Sequence, residues 1–184
     1  IMVAKANGVD ITAIGSGNPG ASNVARALGM KKGAYVYGLD ALKGAAATAL
    51  GLAIFGNAAA FWCAAAAVVG HVYPVTRRFA GGKGVATASG VFIALAPVPA
   101  LCAIIGFVIT VATTRFVSLG SLVGAVVLPI ALWLQQRAVT PLVLVSAAVG
   151  AFVFWTHREN IGRLRRGEER RVGRTASSTP GGRA

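Results

Sequence analysis

The sequence predicts an all-α polytopic membrane protein, a compact bundle of about six transmembrane helices whose polar loops form a site on the cytoplasmic side. Three observations carry this. Of 184 residues, 55% are hydrophobic and only 12% charged, and the mean hydropathy is +0.69. An average soluble domain is about 25% charged, so the composition excludes a disordered chain and argues against a water-soluble globule. The apolar residues come in runs of spanning length, about 20 residues being enough for a helix to cross the hydrocarbon core. Lys and Arg collect in alternate connections between those runs, as they do when basic loops stay in the cytoplasm.

Residues 1–33 form a polar entry carrying Lys5, Arg26, Lys31 and Lys32, in which 24–28 could start a helix. The spans are expected at 34–56, 58–75, 98–114, 117–134 and 140–156. A sixth, 85–97, is shorter, preceded by a Gly-rich polar stretch and followed by the turn of Pro97 and Pro99; it is expected as a short or partly re-entrant helix. Small residues are dense in the runs (Ala45, Ala46, Ala47, Gly51; Gly120, Gly124), which lets helices approach closely where lipid supplies no hydrophobic drive between them. The connection after the second span holds Arg77, Arg78 and Lys83, Arg115 follows 98–114, and the tail has eight Arg from Arg158 to Arg183. The alternate connections hold only Arg137, so both ends are expected in the cytoplasm, with an even number of spans. There is no signal-peptide pattern, and a chain opening at Ile1 reads as a fragment. Residues 1–174 read as one domain and 175–184, with Pro180, Gly181 and Gly182, as a disordered end. Cys63 and Cys102 lie in apolar runs and read as packing residues.

The 18 Lys and Arg against 5 Asp and Glu give +13, which suits nucleic acid, anionic lipid or phosphorylated small molecules alike. Three polar segments narrow the choice. In Gly15-Ser16-Gly17-Asn18-Pro19-Gly20-Ala21-Ser22-Asn23 the glycines match a dinucleotide fingerprint, with Asp40 where its acid belongs, but that site needs a parallel sheet and Asp40 falls in an apolar span. What survives is local: glycines let backbone N–H groups approach an anion near a helix N-terminus. A capped turn ahead of a helix is the plainer alternative. The second segment runs from Gly70-His71-Val72-Tyr73-Pro74 to Phe79-Ala80-Gly81-Gly82-Lys83-Gly84-Val85-Ala86-Thr87. Its spacing is not that of a P-loop, yet a glycine-flanked lysine at a helix start brings together a cation, bare N–H groups and a dipole. A basic membrane anchor would explain Arg77 and Arg78 but not Gly81, Gly82 and Gly84. The third, His157-Arg158-Glu159-Asn160-Ile161-Gly162-Arg163 and onward, follows the last span, where a tail binding anionic headgroups is the alternative. Asp40 and Lys43, three apart in an apolar helix, read as a structural pair, and no ligand-spaced His, Cys or acid cluster suggests a metal.

The segments GSGNPGASN with Arg26, LDALKG, GHVYPVTRRFAGGKGVAT and HRENIGRLRRGEE, in that order, resemble the bacterial membrane acyl-phosphate:glycerol-3-phosphate acyltransferases, the PlsY family, over nearly the whole chain. The resemblance implies seven helices with an outside amino terminus, so that this chain would begin just after the first. It implies transfer of a fatty acyl group from acyl phosphate to the 1-hydroxyl of sn-glycerol 3-phosphate. The products are lysophosphatidate and phosphate, in the first acylation of phospholipid biosynthesis. Ser22 stands where the family usually has Thr, and the long Arg-rich tail is outside the shared pattern.

The resemblance further implies that Ser16, Ser22, Arg26 and Lys83 hold acyl phosphate and the phosphate group, and that His157 and Asn160 hold the acceptor, with Lys83 open to a share in both. Gly15, Gly17, Asn18, Gly81, Gly82, Gly84, Thr87 and Arg163 complete the expected substrate-binding set, with no cofactor or metal. Either His157 or the acceptor's own phosphate would take the proton, and a covalent acyl-Ser16 intermediate is the sharper alternative. Partners would be the two substrates, the bilayer of a bacterial plasma membrane and the soluble enzyme that makes acyl phosphate, with no nucleic acid. The competing function is a transporter or channel for a small phosphorylated anion, which would place its polar groups near the midplane.

Overall fold

A computed structural model describes residues 1–172, which contain helices and no strand. The expected disordered end at 175–184 lies outside the described residues. In order the helices are α1 (Met2–Lys5), α2 (Ala21–Leu28), α3 (Met30–Phe55), α4 (Asn57–Val72), α5 (Val85–Leu95), α6 (Pro97–Thr114), α7 (Val117–Gln136), α8 (Pro141–Thr156) and α9 (Arg158–Arg165).

The breaks follow from local chemistry. Gly29 and Gly56, at φ of 90° and 79°, divide α2 from α3 and α3 from α4 with a backbone turn that suits glycine alone. Ala96, before Pro97, is held out of the helical region and separates α5 from α6. Thr140 caps α8 by accepting from the Val143 amide at 3.4 Å, with Pro141 at the first helical position.

Where the sequence predicts six spans, α3, α4 carried on through a 3-10 turn to Arg77, α6 and α7 are each long and apolar enough to cross a membrane. Helix α8 qualifies together with α9, across a bend of 60°. Helix α5 has 11 residues, so at 1.5 Å per residue it is about 16 Å long, roughly half the hydrocarbon thickness. It is nevertheless central: Ala86, Thr87, Ala88, Gly90, Val91 and Phe92 are all buried.

Small residues bring the backbones together. A Cβ on Gly90 would fall on the Ala41 carbonyl and one on Gly44 on the Thr87 carbonyl, so α3 and α5 touch backbone to backbone. A Cβ on Gly51 would likewise lie 2.9 Å from Cys63 Sγ, one on Gly120 against Phe107 and Val111, and one on Gly150 2.8 Å from the Ala125 carbonyl. The main core joins Ala64 and Val68 of α4, Val91 and Phe92 of α5, Ala100 of α6, Leu128 and Leu132 of α7 and Val143 of α8. A second, unanticipated core of Ala4, Ile11, Val24 and Val36 ties the entry segment to α3. The outward faces are apolar, with Leu50, Trp62, Ile105, Ile109, Trp133 and Leu144 exposed. Water would make such a surface a liability, whereas lipid is its proper solvent.

Helices α3, α5 and α7 begin at one end of the bundle, and α4, α6 and α8 finish there. Contacts between the connecting segments show it: Asn18 reaches the Gly81 carbonyl at 3.5 Å, Thr156 the Lys83 carbonyl at 3.2 Å, and the Val172 amide the Arg115 carbonyl at 3.0 Å.

Candidate active site

The loop after α4 doubles back on that helix. The Gly81 and Gly82 amides donate to the carbonyls of Val72 and His71, each at 3.1 Å. This corrects the expectation of bare N–H groups at these two positions: both amides are already bonded to the carbonyls that the end of α4 leaves free. Their glycine identity has a steric reason instead. A Cβ on Gly81 would lie on the His71 carbonyl and 2.6 Å from Pro74 Cδ, and one on Gly82 would enter the imidazole of His71. Gly84, at φ 82°, turns the chain into α5. Lys83 is thereby held half-buried, with its ammonium on Asn160 Oδ1.

His157 sits at the bend between α8 and α9, 3% exposed. Its Nδ1 lies 2.8 Å from the Val153 carbonyl, which makes Nδ1–H the donor and leaves Nε2 with a free lone pair. Burial, with the Lys83 charge nearby, pushes its pKa down to about 4, so the ring is neutral at neutral pH. Asn160 lies one turn on and donates to Glu169 Oε1 at 2.6 Å. Glu169 also accepts from Ser118 at 2.9 Å and from Arg163 Nε at 2.9 Å. Burial alone would raise its pKa, but the hydrogen bonds from Asn160, Arg163 and Ser118 hold it below the usual carboxylate range. Lys83 is pushed down to about 8, first by burial and then by the Arg163 charge.

The first segment wraps around a buried side chain. Asn23 Oδ1 accepts the Ser16 amide at 3.2 Å, and Asn23 Nδ2 donates to the carbonyls of Ile11 and Ile14 at 3.1 and 2.9 Å. A Cβ on Gly15 would strike that same Oδ1, and Gly17 takes φ 66°. Asn18 accepts the Gly20 amide at 2.9 Å ahead of α2. From the next turn of α2, Arg26 reaches Ser16 Oγ at 3.4 Å, while its Nε is buried without a partner among the described residues. Burial and the neighbouring Arg170 lower its pKa.

These parts line a polar cavity of about 70 Å³ that includes Asn18, Ser22, Arg26, Lys83, His157 and Asn160. Gly84 and Asp40 also border it. Ser16 is exposed and linked through Arg26, Arg163 acts through Glu169, and Gly15, Gly17, Gly81 and Gly82 shape the loops. Thr87 is fully buried against Gly44, its hydroxyl unpartnered among the described residues, and does not border the cavity. Asp40 and Lys43 lie 2.6 Å apart, with His71 Nδ1 3.5 Å from Asp40. The sequence reading gave no role to His71, Ser118, Glu169 or Tyr37, all of which line the cavity. Two of them carried a signal, His71 within the segment GHVYP and Glu169 as an acid within a run of arginines. An adjoining apolar cavity shares Tyr37, Val85, Phe107 and Ser121 with the polar one and runs on past Ala103, Gly124, Ala125 and Gly150. Among the described residues no group of three His, Cys, Asp or Glu is placed to hold a metal ion.

Comparison with known proteins gives one answer by three routes. The family model described as "Glycerol-3-phosphate acyltransferase" matches residues 1–167. Proteins named glycerol-3-phosphate acyltransferase include one from Anaeromyxobacter dehalogenans, 42% identical over 170 residues, covering 90% of this chain and 85% of that protein. One from Myxococcus xanthus is 46% identical over 166 residues, covering 89% and 86%. Two crystal structures of PlsY (YgiH), an integral membrane glycerol 3-phosphate acyltransferase, are each 40% identical and cover 94% of this chain and 86% of theirs. The glycerol 3-phosphate form gives a TM-score of 0.86 and the lysophosphatidic acid form 0.84. With its helical bundle, its apolar outer faces and these matches, the chain belongs to the glycerol-3-phosphate acyltransferase family of integral membrane proteins.

Proposed function

We propose that this protein transfers a fatty acyl group from acyl phosphate to the 1-hydroxyl of sn-glycerol 3-phosphate, releasing lysophosphatidate and phosphate, at the cytoplasmic face of a bacterial plasma membrane. The observation that carries the reading is the convergence of Arg26, Lys83, His157 and Asn160 on one polar cavity that adjoins an apolar one. Such a pair suits a reaction whose two phosphates are soluble and whose acyl chain is not. The curated relatives' name and the glycerol 3-phosphate form of the solved structure support the acceptor.

Acyl phosphate is already activated, so positioning and charge stabilisation dominate. The acceptor hydroxyl attacks the acyl carbon, a C–O bond forms, and the bond from that carbon to the phosphate oxygen breaks. The leaving phosphate departs against the charges of Lys83 and Arg26, with Ser16 and Ser22 as donors. His157, with a pKa of about 4, is a weak base. A phosphate oxygen, with a second pKa of about 6, is the stronger one and takes the hydroxyl proton. His157 Nε2 accepts a hydrogen bond from the acceptor and orients it. Ser16 has Arg26 as its side-chain partner, a cation that removes no proton, which favours a donor role over a covalent acyl-serine.

Purified protein in detergent, supplied with acyl phosphate and labelled glycerol 3-phosphate, should yield labelled lysophosphatidate. Absence of labelled lipid, with uptake of label into sealed proteoliposomes, would establish the transporter reading instead. For orientation, single cysteines at Ser16, Lys83 and Asn160, after replacement of Cys63 and Cys102, should be labelled from the cytoplasmic side, and one at Gln136 from outside. Exterior labelling at any of the first three would overturn the face assigned to the site.

A further inference from the structure

His71 is the penultimate residue of α4 and plays no part in the mechanism above, yet it meets the lysine-bearing loop twice. Its carbonyl accepts the Gly82 amide at 3.1 Å. Its imidazole points its Nε2 edge at Gly82: a Cβ added there would land on Nε2, with Cε1 at 2.9 Å and Cδ2 at 3.0 Å. The ring's other nitrogen, Nδ1, faces the Asp40 carboxylate at 3.5 Å and contacts the Lys43 ammonium. Asp40 and Lys43 are themselves joined at 2.6 Å on α3. An ion pair from one helix thus fixes an imidazole on the next, and the imidazole supports the residue just before Lys83.

The loop needs such support. Arg78 and Phe79 both take left-handed backbone, at φ 50° and 64°, a conformation that costs non-glycine residues energy and persists only where the surroundings over-determine it. We infer that His71, oriented by Asp40 and Lys43, is a positioning residue that clamps the Gly81–Gly82 turn and so sets the place of the Lys83 ammonium. Its Nε2 edge is occupied by Gly82, so it acts through the loop. The inference rests on the proposed acyl transfer, in which Lys83 carries the phosphate charge.

The test is a mutant cycle on the purified protein, with wild-type turnover on acyl phosphate as its reference. A loop competent for only part of the time raises the apparent KM of the ligand it holds by the inverse of that fraction, so His71→Ala should raise KM for acyl phosphate on the order of 10-fold with little change in kcat. Simple loss of folded protein would instead lower kcat and leave KM alone. Gly82→Ala should cost on the order of 100-fold in kcat/KM, the scale of a 1 Å misplacement. In the His71→Ala background the same change should cost less than about 3-fold, because the ring that opposed the new methyl is gone.

Gly81→Ala is the matched control, since its Cβ would meet the His71 and Val72 carbonyls and Pro74, none of which His71→Ala removes. It should cost the same factor in both backgrounds. If His71→Ala does not fold, His71→Asn keeps a polar group toward Asp40 while vacating the space over Gly82, and should show the same coupling. An equal cost of Gly82→Ala in both backgrounds, or a His71 variant that alters kcat alone, overturns the clamp. Wild-type protein that forms no lysophosphatidate overturns the acyltransferase reading itself.

Discussion

Lys83→Ala removes the one ammonium that the glycine loop and the start of α5 hold in the polar cavity. At neutral pH a side chain titrating at about 8 is mostly charged, so nearly its whole electrostatic contribution is at stake. Two unit charges about 4 Å apart at an effective dielectric of about 20 attract by about 4 kcal/mol. Loss of one preorganised donor to a developing anion typically costs about 3 to 4 kcal/mol, on the order of 100- to 1000-fold in rate, and the two figures agree. Asn160 would lose its Lys83 partner but remain tied to Glu169, so the surrounding fold should survive. The assay is lysophosphatidate formation from acyl phosphate by monodisperse protein in detergent. Its control is Arg78→Ala, which removes an exposed basic residue from the same loop and should cost little. Turnover by Lys83→Ala within about 3-fold of wild type would reduce Lys83 to a membrane anchor and refute the reasoning.

The pH dependence has a definite sign. Lys83 is charged below about 8 and neutral above it, so kcat/KM should fall as the pH rises through that value, while the residual activity of Lys83→Arg, charged to beyond about pH 12, should lack this alkaline limb. A pH profile of both proteins checks it, and an unshifted limb in the arginine variant would assign the titration elsewhere. Glu169→Gln removes the charge that Asn160, Arg163 and Ser118 all address, so turnover should fall on the order of 10- to 100-fold, the worth of a hydrogen bond to a charged group; wild-type rates would show that Asn160 needs no such anchor. Ala103→Leu narrows the apolar cavity and should depress turnover of long-chain acyl phosphates more than short ones, measured as the ratio of kcat/KM for the two donors; an unchanged ratio would remove the acyl chain from that cavity.

The spans were legible because lipid imposes a length and a composition on any helix that crosses it. Helix α5 escaped that rule: its 11 residues are sheltered by neighbouring helices, and only the proline turn after it and the glycines before it marked its bounds. The site segments were legible because Gly, Ser, Asn and Lys are conspicuous beside apolar runs. Their local geometry was not. Glycines 81 and 82 suggested free amides, whereas those amides pair with the end of α4 and the missing side chains make room for His71 and Pro74, contacts that depend on how two distant segments dock. Glu169 drew no role of its own within the arginine-rich segment after the last span, because its three donors come from α7 and α9 and are set by packing rather than spacing. Helix α1 looked simply polar, since the small core that holds it draws Ala4, Ile11, Val24 and Val36 from four separate stretches of chain.

The measurement that bears most directly on the central claim is a simultaneous count of lysophosphatidate and inorganic phosphate, with acyl phosphate or acyl-CoA offered to the same purified protein. The cavity has cations for a small phosphate, so acyl phosphate should give one phosphate per lysophosphatidate, and acyl-CoA should give neither product. Comparable lysophosphatidate formation from acyl-CoA, or phosphate released without lipid, would contradict the account.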